Sequence, residues 1–418
     1  MAEGEHRNLR NSSALDLHVP TPRARPGDRP DFSQWVFPEP GETPRPRSDA
    51  SAGEMRDMAF GLVRVLDGDG EAHGPWRPRL DAETLRRGLK HMLLVRVFDE
   101  RMHRQQRQGK TSFYMQSLGE EAISVAQTYA LDRDDMCFPS YRQQGILIAR
   151  DYPLVDMMNQ IYSNRGDPCK GRQLPIMYSS KAYGFFTISG NLGTQVPQAV
   201  GWAMASAYKN DDRICATWIG EGATAEGDFH AAMTFAGVYR APVIINVCNN
   251  QWAISTFQGI AGGDNATFAS KAIGYGVAPL RVDGNDFLAV YAATQWAAER
   301  ARSNNGPTMI EFVTYRGGPH STSDDPARYR PADDYACWPL GDPIERLKDH
   351  LVAQGEWSQQ QHVAAKEDAV EAVRAAGREA EKTGVLTGES QWPRDSMFDD
   401  VFKDLPWHLR AQRDQQEG

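Results

Sequence analysis

The stretch Ile219-Gly220-Glu221-Gly222-Ala223-Thr224-Ala225-Glu226-Gly227-Asp228, followed by Asn249-Asn250, decides the fold of this chain. An apolar run typical of a strand precedes the glycine turn, a helical pattern follows it, and a second apolar run ends at the asparagine pair. Gly220 and Gly222 permit a sharp turn and a close approach of the backbone to a ligand. The helix that follows offers free N–H groups to a phosphate. The pattern therefore predicts a strand, a ligand-binding turn, a helix and a second strand.

The acidic side chain in this turn indicates a metal ion. Glu221 would repel a phosphate directly, whereas Mg²⁺ binds carboxylate, amide, backbone and phosphate oxygens together. Asn250 follows Glu221 by 29 residues, about the length of a crossover helix and a second strand. The two side chains are therefore predicted to meet at one edge of a sheet and to hold the metal of a phosphorylated cofactor. Taken separately, the two motifs also fit a capped helix and an ordinary turn.

Helix and strand patterns alternate over the middle of the chain, between about residues 185 and 316. The predicted helices are 81–107, 120–131, 153–162, 196–208, 227–239 and 286–302, and the predicted strands are 61–66, 214–219, 242–247, 280–282 and 308–315. This alternation predicts an α/β fold, with a doubly wound, mostly parallel sheet covered on both faces. An amphipathic pattern from 342 to 381 predicts a helical tail. We divide the chain into an extended N-terminal arm (1–75), an α/β domain (76–340) and a helical C-terminal region (341–418).

Two segments leave alternatives open. Eight of the 25 prolines fall within the first 50 residues, so this arm cannot bury much apolar surface by itself. It is either a disordered tail or an arm that lies over a partner subunit through the apolar patch Trp35-Val36-Phe37. Farther along, Ala199, Ala203 and Ala207 repeat at every fourth position, which fits either a subunit contact or tight internal packing.

Composition narrows the class of protein. A net charge of −9 does not favour nucleic acid or an anionic membrane as partner. No apolar run approaches the roughly 20 residues of a membrane span, and the segment Met1 to Arg10 lacks the apolar core of a signal peptide. The five cysteines are far apart and form no CxxC pair, so no zinc site or disulfide framework is indicated. These features predict a cytoplasmic protein that binds neither nucleic acid nor membrane.

The glycine turn and the asparagine pair together resemble the thiamin diphosphate fingerprint, in which Asp usually stands at the position of Glu221. More closely, the chain resembles the alpha subunits of the branched-chain 2-oxo acid dehydrogenase decarboxylating component. The segments that carry this resemblance are Gly220-Glu221-Gly222-Ala223, Glu226-Gly227-Asp228 and Asn249-Asn250-Gln251-Trp252-Ala253-Ile254-Ser255-Thr256. It extends from about Phe98 to Arg330 and returns near Asp399 to Arg410, whereas residues 1 to about 50 carry no usable family motif. The resemblance implies the thiamin diphosphate-binding fold.

The resemblance also implies a site. The implied cofactor-binding residues are Tyr141, Arg142, Gly190, Leu192, Gly220, Gly222, Ala223 and His320, and the implied Mg²⁺ ligands are Glu221, Asn250 and the backbone carbonyl of Trp252. His320, in the loop 317–330, is the implied catalytic residue, and Ser321 beside it matches a serine that kinases modify in animal relatives. Possible potassium ligands are Ser189, Thr194 and Gln195, although Gly190 and Asn191 depart from the family pattern. Cys248 stands where some relatives carry a phosphate-binding arginine.

The implied activity is the oxidative decarboxylation of branched-chain 2-oxo acids such as 3-methyl-2-oxobutanoate, with acyl transfer to a lipoyl group. The implied cofactors are thiamin diphosphate and Mg²⁺, and relatives also hold K⁺ in the loop that matches residues 189–195. Enzymes of this type take a glutamate from a beta subunit, so the expected partners are a beta subunit in an α2β2 heterotetramer and a lipoyl-bearing acyltransferase. Two alternatives stay open: an alpha subunit that acts on pyruvate or acetoin, and a non-catalytic interaction subunit that has kept the fold.

Overall fold

A parallel β-sheet covered by helices organises residues 17–386 and 392–416, the part of the chain that this computed structural model describes. The helices are α1 (Ala82–Arg107), α2 (Glu121–Ala130), α3 (Gln144–Ala149), α4 (Leu154–Tyr162), α5 (Gln195–Tyr208), α6 (Gly227–Tyr239), α7 (Phe287–Arg302), α8 (Pro343–Ala353), α9 (Gln359–Thr383) and α10 (Trp407–Gln416). The strands are β1 (Met136–Phe138), β2 (Cys215–Gly220), β3 (Val243–Asn249), β4 (Trp252–Ala253), β5 (Thr256–Phe257), β6 (Ala278–Asp283) and β7 (Thr308–Val313). The short strands β4 and β5 form a separate antiparallel hairpin.

Five strands pair in the order β1-β2-β3-β7-β6, and every pair is parallel. Strands β2 and β3 lie inside the sheet and are buried along almost their whole length, as apolar strands with helices on both faces must be. Their register places Gly220 opposite Cys248. Glu221 and Asn250, which follow these two strands, therefore leave the sheet at the same edge.

Helices cover both faces of the sheet, which confirms the predicted doubly wound α/β fold. Helices α5 and α6 bury residues such as Ala199 and Phe229 in one hydrophobic core. Helices α2 and α7 contribute residues such as Ile123 and Ala289 to the core on the other side. Ala203 is buried with Ala199, whereas Ala207 is exposed, so internal packing accounts for the first two alanines of the repeat.

The predicted strand at 61–66 is wrong. Only Val63 pairs with the sheet, at the edge strand β6. The carboxylate of Asp286 accepts the backbone N–H groups of Val65 and Leu66, at 2.8 and 2.6 Å. Because a side chain takes these donors, they are lost to a β-ladder and the segment stays irregular.

The described part of the N-terminal arm, from residue 17, packs against the α/β domain of the same chain. Neither of the two alternatives predicted this packing. The rings of Trp35 and Phe37 pack against Trp338, with centroids 5.7 and 6.2 Å apart. Val36, between them, is 88% exposed. The expectations for residues 1–16 fall outside the described residues.

The helical tail predicted from 342 to 381 consists of two helices. Helix α8 ends before Gly355, which has a positive φ of 70°, and α9 starts at Gln359. Helix α9 packs against α1 and α4, so this region belongs to the wall of the α/β domain. Among the described helices, none combines the length and the apolar character that a membrane span needs.

Candidate active site

A cavity of about 550 Å³ opens at the edge where β2 and β3 end. It gathers most of the predicted site onto one surface: Tyr141, Arg142, Gly190, Leu192, Gln195, Gly220, Glu221, Gly222, Ala223, Asn250, Trp252 and His320. Three predicted residues, Ser189, Thr194 and Ser321, are not among the residues that line it. The cavity also has apolar walls, supplied by Leu174, Met177, Ile254 and Ile260.

Glu221 is the most unusual group in the cavity. It directly follows β2 and is 1% exposed, and its Oε2 accepts a long bond of 3.4 Å from the backbone N–H of Asn250. Its Oε1 is buried and has no hydrogen-bond partner among the described residues. Burial raises the pKa of Glu221 to about 7. A buried acceptor without a partner is costly, and a cation at this position would satisfy it.

Asn250 presents its oxygen in a defined orientation. Its Nδ2 donates to Oε1 of Glu120 at 2.7 Å, and its Oδ1 accepts the backbone N–H of Trp252 at 3.3 Å. The carbonyl of Trp252 accepts from Nη1 of Arg316 at 2.8 Å, which leaves it a second lone pair. A carboxylate, an amide oxygen and a carbonyl oxygen form a donor set that fits Mg²⁺.

The two glycines of the turn play different roles. A Cβ at Gly222 would lie 2.4 Å from the Cβ of Ala253, whereas no described atom lies within 4 Å of a Cβ built at Gly220. Thr224 fixes the turn, because its Oγ1 donates to the carbonyl of Glu221 at 2.6 Å and accepts from Nζ of Lys271 at 2.7 Å. Packing therefore demands glycine at 222, and position 220 is open toward a ligand.

Arg142 holds His320 in place. Its guanidinium donates to the carbonyl oxygens of Gln116 and His320, the second at 2.7 Å, and its Nη2 lies 3.1 Å from Nδ1 of His320. A guanidinium only donates, so Nδ1 accepts and the ring proton resides on Nε2. Burial, and then the charges of Arg142 and Arg316, lower the pKa of His320 to about 3. His320 is therefore a neutral imidazole at physiological pH.

The loop 317–330 that carries His320 is tied to the domain. Thr322 exchanges two hydrogen bonds with the backbone of Tyr114, at 2.9 and 3.1 Å. Asp324 accepts the N–H of His320 at 2.7 Å, and Ser321 is buried. These hydrogen bonds hold the loop against the domain, so it is not a flexible linker. The regulatory role of Ser321 stays a prediction.

The loop predicted to hold potassium has two of its hydroxyls engaged locally. Ser189 Oγ accepts from the N–H of Asn191 at 3.1 Å, and Thr194 Oγ1 donates to its carbonyl, also at 3.1 Å. Gln195 donates through Nε2 to the carbonyl of Trp218 at 2.6 Å. The potassium assignment stays a prediction.

Sequence reasoning missed Glu120, a cavity residue that is 1% exposed. Burial raises its pKa, and the nearby Arg142 opposes that effect. The only signal in the sequence was a pair of acids before an apolar helix, which is also an ordinary helix start. Its neighbour Glu121 has a different task, an ion pair with Arg96 at 2.8 Å. The sequence alone could not show that Glu120 and Glu121 have different roles.

Comparisons with known proteins show the family of this chain. Residues 89–389 match the family model "Dehydrogenase E1 component", and residues 13–53 match "2-oxoisovalerate dehydrogenase E1 alpha subunit N terminal". The second match shows that the expectation of no family motif in residues 1 to about 50 is wrong.

Curated relatives cover nearly the whole chain. The 2-oxoisovalerate dehydrogenase subunit alpha of Pseudomonas aeruginosa is 62% identical over 96% of this chain and 97% of its own length. The mitochondrial subunit of the same name from Homo sapiens is 38% identical over 98% of this chain and 93% of its own length. The mouse subunit is 41% identical over 84% of this chain and 79% of its own length. The chain therefore belongs to the dehydrogenase E1 component family and, within it, to the 2-oxoisovalerate dehydrogenase alpha subunits.

Proposed function

We propose that this chain is the alpha subunit of a 3-methyl-2-oxobutanoate dehydrogenase, which decarboxylates branched-chain 2-oxo acids and transfers the acyl group to a lipoyl group. The observation that carries this proposal is the buried, unpartnered oxygen of Glu221 beside the oriented amide of Asn250. It supports a metal-diphosphate site at a place where a carboxylate would otherwise be costly. The relatives, which are 2-oxoisovalerate dehydrogenase alpha subunits, indicate the substrate class.

The residues present fit thiamin diphosphate with Mg²⁺. When bound, thiamin diphosphate supplies the electron sink that decarboxylation of a 2-oxo acid requires. Glu221, Asn250 and the carbonyl of Trp252 would hold the metal, and the open space at Gly220 would leave room for the diphosphate. The remaining proposed contacts of the cofactor are Tyr141, Arg142, Gly190, Leu192, Gly222, Ala223 and His320.

His320 would act as a neutral hydrogen-bond donor in the cavity. Arg142 occupies Nδ1, so Nε2 retains its proton over the whole physiological range. A donor fixed by a guanidinium can bind an oxygen of the substrate or of the cofactor phosphate without itself gaining charge. The apolar walls formed by residues such as Met177 and Ile260 would favour a branched aliphatic side chain.

A beta subunit would complete the site, in an α2β2 heterotetramer. Helices α5 and α6 carry large apolar side chains that are at least half exposed in the isolated chain: Tyr208, Phe235, Val238 and Tyr239. A patch of this kind is typical of a subunit interface. Acyl transfer would then take place to the lipoyl group of a separate acyltransferase.

The proposal also includes a cytoplasmic location, a potassium site and a regulatory serine. The five cysteines are unpaired within the described residues, which favours a reducing cytoplasm. K⁺ would be bound by Ser189, Thr194 and Gln195 if the loop rearranges, and Ser321 would be a regulatory position. We propose residues 75 and 340 as boundaries between sequence regions, since the arm and the C-terminal helices both pack on the α/β domain.

Activity of the assembled protein tests this proposal. The purified chain should be nearly inactive, whereas the chain co-expressed with a beta subunit should oxidise 3-methyl-2-oxobutanoate faster than pyruvate. Calorimetry should detect thiamin diphosphate binding to the complex only when Mg²⁺ is present. Full activity of the chain alone, or a clear preference for pyruvate, would refute the assignment.

A further inference from the structure

The amide of Asn250 could face the cavity with either of its two ends. Only the oxygen can bind a cation, because the nitrogen carries two hydrogens and offers no lone pair. The amide can rotate between these orientations, so some neighbouring group must select one of them.

Glu120 contacts the nitrogen end of that amide. Its Oε1 lies 2.7 Å from Nδ2 of Asn250 and 3.8 Å from Nε of Arg142. At the other end, the backbone N–H of Trp252 donates to Oδ1. An acceptor therefore faces the nitrogen and a donor faces the oxygen, so both contacts favour the same orientation.

We propose that Glu120 is a positioning residue, which holds the amide of Asn250 so that its oxygen serves the cation of the diphosphate cofactor. This inference rests on the proposed function. Partners that orient metal ligands in this way change metal affinity by about 10- to 100-fold when they are removed. The adjacent Glu121 offers a control, because it is equally buried but bonds to Arg96 and to the N–H of Gly119.

Two substitutions separate the hydrogen bond from the charge. E120D keeps the charge but shortens the side chain by one carbon–carbon bond of roughly 1.5 Å, which breaks the contact with Nδ2. E120Q removes the charge but keeps an oxygen at the original reach, and Arg142 beside it favours the orientation in which that oxygen faces Asn250. The corresponding changes E121D and E121Q make the same alterations where no contact with Asn250 exists.

The experiment measures Mn²⁺ affinity of the assembled α/β complex in saturating thiamin diphosphate, by electron paramagnetic resonance. We expect E120D to weaken Mn²⁺ binding about 10- to 100-fold and E120Q to stay within about threefold of the wild type. E121D and E121Q should leave the affinity unchanged. Thermal unfolding in EDTA, measured in parallel, reports any general loss of folding.

The outcomes are distinguishable. Wild-type affinity in E120D would overturn the positioning role, and so would a loss in E120Q as large as in E120D, because charge would then be the operative property. An equal loss in the Glu121 variants would also overturn it, since general packing would explain the effect. If the wild-type complex itself bound no Mn²⁺ with thiamin diphosphate, the proposed function would fail instead.

Discussion

Replacing Glu221 by Gln should stabilise the metal-free protein while abolishing its metal site. Burial raises the pKa of this carboxyl from 4.5 to about 7, so the folded state binds the proton more tightly than the unfolded state does. Ionisation of Glu221 therefore costs stability progressively as pH rises from 4.5 to 7, and the full cost persists above pH 7. At 1.36 kcal/mol per pKa unit, this cost is about 3 kcal/mol.

The assay is urea unfolding of the purified chain in EDTA. E221Q should exceed the wild type in free energy of unfolding by about 3 kcal/mol at pH 8 and by less than about 1 kcal/mol at pH 5. E226Q alters an exposed carboxylate five residues away and should show no such pH dependence. The reasoning is refuted if E221Q is no more stable than the wild type at pH 8. When the assembled α/β complex is unfolded with Mg²⁺ and thiamin diphosphate added, only the wild type should gain stability.

Further predictions concern the turn, the subunit face and the guanidinium. G222A places a methyl group 2.4 Å from another Cβ and should cost about 1–3 kcal/mol in thermal unfolding, whereas G220A should not. F235K charges a side chain that is 52% exposed on α6 and should block assembly with the beta subunit in sedimentation velocity; V363K, on α9, should assemble normally. R142K removes the two hydrogen bonds that the guanidinium donates to His320 and should lower kcat about 100-fold. An unchanged kcat in steady-state oxidation of the 2-oxo acid would contradict the role of Arg142 in positioning His320.

Much of the α/β core could be predicted because its signals are local. The apolar runs at β2 and β3 and the helical pattern of α1 set their elements within a few residues. Asp81, which accepts the N–H of Thr84 at 2.7 Å, marks the start of α1 as a sequence signal should. The three-residue strand β1 and the six-residue helix α3 were missed, since segments this short contain fewer than two periods of their own pattern.

Errors arose where distant residues decide local structure. The segment 61–66 has the composition of a strand, but Asp286, about 220 positions away, takes its donors. The sequence predicted that Trp35 and Phe37 form an apolar patch that packs against another surface. No local pattern could show that this surface includes Trp338 of the same chain. Long-range side-chain contacts of this kind are absent from a single sequence.

The parts of the site that consist of adjacent residues could be predicted from the sequence. The glycines around Glu221 and the asparagine pair could be located from spacing alone, because parallel strands bring their ends to one edge. Glu120 could not, since its importance comes from one 2.7 Å contact with Asn250. Arg316 was missed for the same reason, because only the folded chain brings its guanidinium to the carbonyl of Trp252.

The buried charges of the cavity wall explain how the protein tolerates so polar a site. Glu120, Glu221 and Arg142 line the cavity, and Arg316 bonds to the carbonyl of Trp252 beside it. Each of these four residues is at most 3% exposed, so two carboxyl groups are buried close to two guanidinium groups. Buried ions are tolerated when they are paired, and each of the four has at least one hydrogen-bond partner. Among the side-chain atoms of these four residues, only Oε1 of Glu221 is buried without a hydrogen-bond partner in the part of the chain that the structure describes. The cost of burying charge therefore falls mainly on an oxygen that a cation would contact, which couples metal binding directly to stability.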